Sequence, residues 1–264
     1  MRVIVTRPRQ EAGKWVDAFA RAGMDALALP LIEVEPAADR AAVLAAWQKL
    51  QTFDAVMFVS GNAVDHFFVF KPSLAPVFTA QAAMKTRAFV TGPGSYSALM
   101  RAHVAPEWVD APNFDSGQFD SEALWAVVRH RVHPGYKVLI VRGVSSDAGA
   151  SDEGHGRDWF AKQVIAAGGS VEFVVSYQRH GPEWGHDTAA LVECASCDGS
   201  IWIFSSSEAI TNLARACPAQ SWAQARAIAT HPRITKTARE AGFFAVRESS
   251  PKLEELIASI ESMQ

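Results

Sequence analysis

No apolar stretch in the 264-residue chain approaches the ~20 residues of a membrane-spanning helix. Runs such as Ala55–Val59, Val138–Val141 and Ile201–Phe204 end after four or five residues. Met1–Arg7 reads as a short strand with no apolar h-region, so no secretory signal is expected. Basic residues are not in excess: 25 Lys and Arg against 28 Asp and Glu give a formal charge of −3. That balance supplies no electrostatic reason to bind nucleic acid. Cysteine is scarce, and its odd count of three argues against a disulfide framework. Cys194-Ala-Ser-Cys197 has C-x-x-C spacing, but no second ligand pair follows it for zinc, and it precedes a strand rather than opening a helix. Incidental thiols are expected there, with a redox or metal role as the alternative. The eight histidines are scattered without metal-ligand spacing.

Nucleotide and nucleophile fingerprints are missing too. Gly92-Pro-Gly94-Ser-Tyr-Ser97 starts like G-x-G-x-x-G but lacks the third glycine, and there is no P-loop and no G-x-S-x-G elbow. An enzyme built on this chain would work by positioning and electrostatics rather than through a cofactor or metal. What is present is ordinary globular material: 49% hydrophobic and 20% charged residues, with 17 Gly and 13 Pro. A soluble cytoplasmic protein with one large core or two modest ones is expected.

Short β-rich runs alternate with helical patterns along the whole chain. Strands are expected at Val3–Thr6, Ala55–Val59, Ala88–Thr91, Val104–Val109, Val138–Arg142, Ser170–Tyr177, Ile201–Phe204, Ala227–Ala229 and Phe244–Val246, and Ala26–Val34 is extended but broken by Pro30 and ended by Pro36. Helices are expected at Glu11–Ala22, Asp39–Leu50, Asn62–Phe70, Ser95–Arg101, Ser121–Arg131 and Arg157–Ala167, then near 187–195, 207–216, 233–241 and 251–261. Such alternation implies an α/β fold with parallel sheets covered on both faces.

The pattern also repeats. Val3-Ile-Val-Thr-Arg7 matches Leu139-Ile-Val-Arg142, and Val56-Met-Phe-Val-Ser-Gly-Asn-Ala-Val64 matches Ile201-Trp-Ile-Phe-Ser-Ser-Ser-Glu-Ala-Ile210. Ala88-Phe-Val-Thr-Gly-Pro-Gly94 matches Ala227-Ile-Ala-Thr-His-Pro-Arg233, and Ser121–Trp125 matches Pro251–Glu255 in position and helical pattern. The order is kept, which points to two copies of one five-stranded α/β unit, most plausibly flavodoxin-like with order 2-1-3-4-5. The copies differ at Gly143–Gly156, a Gly/Ser/Asp-rich surface excursion that is either a lid or an idle insertion.

In open parallel sheets, ligands bind beyond the carboxyl ends of the strands, where helix N-termini present free N–H groups. Small polar residues stand there in both copies: Thr6-Arg7, Ser60-Gly61-Asn62, Gly92 with Gly94-Ser95, Arg142-Gly143, Ser205-Ser206-Ser207 and His231 with Arg233. Each turn alone could be a simple helix cap. Together they suggest an anion-rich ligand held by backbone amides and a few arginines. Asp54 and Asp198 precede equivalent strands, the wrong end for a catalytic carboxylate.

These turns lie within a longer ordered set. Val5-Thr-Arg-Pro8, Leu29-Pro-Leu-Ile-Glu-Val-Glu-Pro36, Phe58-Val-Ser-Gly-Asn-Ala-Val64, Val90-Thr-Gly-Pro-Gly94, Asp120–Leu124, Val141-Arg-Gly143, Phe204-Ser-Ser-Ser207 and His231-Pro-Arg-Ile234 resemble the uroporphyrinogen-III synthase family over essentially the whole chain. The resemblance implies two flavodoxin-like lobes with parallel five-stranded sheets, a two-stranded extended linker and an active site between the lobes. It places the first lobe at 1–35 plus 183–264, the second at 36–178 and the crossings near 34–36 and 175–182. It implies cofactor-free cyclisation of hydroxymethylbilane: water is lost, an azafulvene cation forms, and ring D inverts through a spiro intermediate. The substrate's eight carboxylates would suit Arg7, Arg142, Arg233 and the helix N-termini. Tyr177 matches the family's tyrosine at the strand entering the return linker, where a neutral phenol could donate to the departing hydroxyl. The alternative is an aromatic that only packs against one lobe. Ser95 maps to a hydroxyl position able to bind a carboxylate. His231 departs from the family's usual glycine, adding a cationic contact or obstructing one. The expected partners are the tetrapyrrole substrate and, transiently, the preceding pathway enzyme, with no nucleic acid, no membrane and a monomeric state. Two other readings remain: a two-lobed protein that binds an anionic small molecule without chemistry, and, more weakly, a nucleotide-dependent transferase.

Overall fold

The computed structural model describes residues 1–72, 86–116, 118–145 and 155–263. Most of the Gly143–Gly156 excursion lies outside the described residues. In chain order the strands are β1 (Arg2–Val5), β2 (Asp25–Ala28), β3 (Glu33–Pro36), β4 (Ala55–Phe58), β5 (Arg87–Val90), β6 (Val109–Asp110), β7 (Lys137–Ser145), β8 (Ser170–His180), β9 (Ile201–Phe204), β10 (Arg226–Ala229) and β11 (Ala245–Glu248). The helices are α1 (Arg9–Arg21), α2 (Arg40–Gln48), α3 (Gly61–Val69), α4 (Pro93–Arg101), α5 (Ser121–Val128), α6 (His155–Ala166), α7 (His186–Ala195), α8 (Ser207–Ala216), α9 (Pro232–Glu240) and α10 (Leu253–Glu261). The chain divides into two units, one formed by Met1–Glu33 with His180–Gln264, the other by Val34–Arg179.

The first unit holds a five-stranded sheet in the order β11-β10-β9-β1-β2 with every neighbour parallel. The second holds a six-stranded sheet, β3-β8-β7-β4-β5-β6. The sequence repeat maps onto equivalent places: β1 corresponds to β7, β9 to β4 and β10 to β5. Each sheet is therefore assembled from strands of both sequence copies.

An extended run broken at Pro30 was expected over Ala26–Val34, with five strands in each sheet; the break is found, but the second sheet has six strands. Pro30 has no N–H for a ladder, so the run breaks into β2 and β3. β3 then joins β8 and becomes the sixth strand of the second sheet. The strand expected over Val104–Val109 is likewise a 3₁₀ turn, Pro106–Trp108, followed by the two-residue β6. Pro106 again removes the donor that a longer strand would need. Phe244 also falls outside its expected strand: its N–H bonds to Ala225 O at 3.0 Å, just before β10, and β11 starts one residue later.

The central strands explain the alternation seen in sequence. On β4, Val56 and Phe58 pack against α2, α3 and α4, while Ala55 and Met57 pack with Leu124, Val128, Phe160 and Val164 of α5 and α6. On β9, Ile201 and Ile203 face α1 and α10, and on the other side Trp202 stacks with Phe204 and meets Trp222 and Phe243 edge-on. Both strands are buried on both faces, as parallel sheets require. Two buried indoles in these cores donate to carbonyls: Trp47 to Phe67 O at 2.8 Å and Trp202 to Ala195 O at 3.0 Å.

Candidate active site

Parallel strands put all their carboxyl ends on one edge of each sheet, and the helices that follow start there with unpaired N–H groups. In the second unit β4 runs into Ser60, the N-cap of α3, whose Oγ accepts from the Ala63 N–H at 3.1 Å. The same oxygen lies 3.1 Å from the Tyr177 hydroxyl. Tyr177, on β8, is 3% exposed and packs in the core of this unit, whereas Ser60 is half-buried. His66, further along α3, stacks on the Tyr177 ring with centroids 5.8 Å apart and planes 25° apart. Burial pushes the His66 imidazole below its ordinary pKa, against the opposing pull of Asp65, so the neutral ring is favoured. Its Nδ1 is buried without a hydrogen-bond partner.

The starts of α3 and α4 lie side by side: a β-carbon on Gly61 would stand in ordinary contact, 3.4 Å, with the Gly94 carbonyl oxygen. Asn62 follows Gly61, half-buried in the first turn. Gly92 caps α4 with no side chain to serve the first amides, and Pro93 occupies the position whose N–H is not needed. Gly94 is exposed, whereas Ser95 is buried, 5% exposed, on the inner side of α4.

In the first unit the equivalent turns are more fully engaged. Thr6 is buried, and its Oγ1 donates to Ile203 O at 2.7 Å, tying β1 to β9. Arg7 pairs with Glu11 at 2.9 Å and lies 4.2 Å above the Trp15 ring. Ser206 caps α8, accepting from Glu208 N at 3.2 Å beside half-buried Ser205. Ser207 Oγ accepts from Thr237 Oγ1 at 3.2 Å, joining α8 to α9. His231 caps α9 through Nδ1, which accepts from the Arg233 N–H at 3.1 Å. While that bond holds, Nδ1 carries no proton, so a cationic contact from His231 would require the cap to open. Arg233 is exposed in the first turn of α9.

Arg142 takes the other face of its sheet. Ile140 pairs with Phe173 across β7 and β8, and the Arg142 guanidinium lies 4.9 Å over that Phe173 ring with Nε buried and unpartnered. The second unit thus gathers Ser60, Gly61, Gly94, Gly143 and Tyr177, and sends Arg142 away from them. His66 and Ser176 were missed by sequence reasoning. A serine interrupting the apolar Val174-Val175 run was the one available signal.

A cavity of about 350 Å³ lies at the opposite, amino end of this sheet, lined by Asp54, Arg87, His130, Arg131 and Tyr136. Arg87 and Arg131 share the one Asp110 carboxylate, so both guanidinium groups are already engaged in ion pairs. Burial, reinforced by Asp54 and Asp110, pushes the Tyr136 phenol up to about 12. Asp54 accepts from the Lys137 N–H at 2.8 Å, and Asp198 from Ser200 N at 2.8 Å, both acting where strands begin. Among the described residues, no group of three or more His, Cys, Asp or Glu could hold a metal ion, and no helix is long and apolar enough to cross a membrane. The Cys194 and Cys197 thiols are exposed and unbridged.

The family model described as uroporphyrinogen-III synthase HemD matches residues 13–258. Uroporphyrinogen-III synthetase from Helicobacter pylori is similar in structure at 17% identity and a TM-score of 0.59, covering 100% of both chains. A mutant uroporphyrinogen III synthase from the extremely thermophilic bacterium Thermus thermophilus is similar at 14% identity and a TM-score of 0.55, over 100% of this chain and 98% of that one. At these identities the likeness speaks for the fold. No curated protein sequence matches the chain closely enough to count.

Proposed function

The chain belongs to the uroporphyrinogen-III synthase family, and we infer from this that the Ser60–Tyr177 pair serves its dehydrating cyclisation. The reaction closes hydroxymethylbilane to uroporphyrinogen III with loss of water and inversion of ring D. The hydroxyl leaves as water only if it gains a proton, and the azafulvene cation it leaves behind is then attacked by ring D.

The observation that carries this reading is the 3.1 Å contact between the two hydroxyls. Ser60 is half-buried while Tyr177 is 3% exposed, so the serine is the member nearer to solvent. Ser60 passes its proton to the departing hydroxyl and takes the phenol proton in exchange. The Ala63 N–H steadies the serine oxygen through the transfer, and hydrogen bonds in series strengthen one another. The proton returns when the newly joined pyrrole loses its own. No step needs a cofactor.

In the second unit the first-turn amides of α3 and α4, with Ser95, are donors for substrate carboxylates, and in the first unit Arg7, Arg233 and the first turns of α8 and α9 offer the same chemistry. The same reading makes each unit a flavodoxin-like lobe, 1–35 plus 183–264 and 36–178, with a two-stranded linker near 34–36 and 175–182. It is a cytoplasmic monomer that takes its substrate from the preceding enzyme.

The test supplies hydroxymethylbilane generated in situ and separates the oxidised porphyrin isomers. The type III isomer is expected; type I alone overturns the reading. A protein that only binds would protect the bilane without inverting ring D. Tyr177→Phe should lower turnover ~10-fold or more with folding intact.

A further inference from the structure

Register across β7 and β8 is regular from Lys137↔Ser170 to Arg142↔Val175, then jumps to Gly143↔Tyr177. Ser176 is the extra residue of a β-bulge. Side chains alternate along a strand, so the face of Val174 would next be taken by Ser176, and Tyr177 would point to the face of Phe173 and Arg142. The bulge instead returns Tyr177 to the face of Val174, where it packs with Ala63, Val64 and Phe67 of α3. Ser176 is itself held from two sides. Its Oγ donates to Ala63 O at 3.3 Å, and its carbonyl accepts from the Ala37 N–H at 3.1 Å.

Opposite the bulge stands Gly143. Its φ is not in the left-handed region, so its backbone would accept any residue. The space would not: a β-carbon there would fall 2.3 Å from Tyr177 Cζ, 2.4 Å from Cε2 and 2.7 Å from Cε1. These three atoms are the hydroxyl end of the ring. Ordinary contact begins near 3.4 Å, so an alanine forces that end away by about 1 Å. Such a shift is enough to break the 3.1 Å contact with Ser60.

We propose that Gly143 and the Ser176 bulge form a seat for the Tyr177 phenol, making Gly143 a positioning residue rather than a contact for substrate. The proposal rests on the reading that Tyr177 supplies the proton. Misplacement by ~1 Å is worth up to ~100-fold in rate, so Gly143→Ala should lower kcat by ~10- to 100-fold with little change in KM. Because it acts through the phenol, Gly143→Ala should add less than about twofold to the loss already caused by Tyr177→Phe. A full multiplicative loss in the double variant, or a rise in KM without a fall in kcat, overturns the proposal.

A readout independent of turnover separates this proposal from the reading beneath it. With tyrosine labelled at ¹³Cζ there are three signals, and Tyr177→Phe identifies one by deleting it. Gly143→Ala should move that signal and leave Tyr96 and Tyr136 in place; an unmoved signal overturns the seat. If the signal moves while Tyr177→Phe keeps full turnover, the seat stands and the proton-donor reading falls. Should Gly143→Ala not fold, Tyr177→Leu in the same chain removes the collision and should restore folding. Failure to restore it overturns the proposal.

Discussion

Replacing Ser60 with alanine removes two hydrogen bonds with different consequences. The first is the N-cap of α3, accepted from the Ala63 N–H at 3.1 Å, whose loss typically costs ~1 kcal/mol. The second is the contact with the Tyr177 hydroxyl at 3.1 Å. Tyr177 is 3% exposed, so its hydroxyl would be left with little access to water, a penalty of ~1–3 kcal/mol. Ser60→Ala should therefore destabilise by roughly 2–4 kcal/mol. Tyr177→Phe removes the hydroxyl and leaves Ser60 capping α3, so it should cost only ~1 kcal/mol. In the double variant no phenol is stranded, and the total should fall short of the two single costs by about 1–3 kcal/mol, the penalty of the stranded hydroxyl. Urea unfolding followed by tryptophan fluorescence measures all four proteins, with equal m-values as the condition for comparing them. Additivity to within ~0.5 kcal/mol would mean the two hydroxyls do not depend on one another, and the coupling argued for the site would be refuted.

Two further outcomes follow from titrating groups in the second unit. His66 has its pKa lowered by burial, with Asp65 opposing. The unfolded chain therefore binds a proton first as pH falls below ~6.5, and stability is full above that point and declines beneath it. His66→Gln should flatten this decline in urea midpoints measured between pH 7 and pH 5; an equal slope in both proteins would contradict the assignment. Tyr136 is shifted the other way, to about 12 by burial and then by Asp54 and Asp110. Its contribution is complete below ~10 and lost as pH rises from there toward its folded value. Tyr136→Phe should remove that alkaline loss, and a wild-type profile in the variant would show that other groups cause it.

Much of the architecture is legible from periodicity alone. Unbroken apolar runs at β4 and β9 mark strands buried on both faces, and the repeat that pairs β1 with β7 and β4 with β9 predicts their equivalent places in the two sheets. Helix starts are also readable, because Ser60, Asp120 and Ser206 are small polar caps whose bonds to the following amides are local. The sixth strand was not readable. β3 is four residues long and half-buried, and only its pairing with β8 makes it a strand.

For the candidate site the division is sharper. A tyrosine in the resembling position and a serine at the end of a strand can be named from sequence, since residue type and local capping chemistry depend on near neighbours. That Tyr177 meets Ser60, residues 117 apart in the chain, depends on one unpaired residue in β8 and one missing side chain on β7. A bulge leaves no periodic trace, and a glycine in sequence does not say which ring lies over it. Local interactions determined the elements and their caps from the chain itself. Register and close packing between distant strands, which only tertiary structure sets, decided which hydroxyls meet.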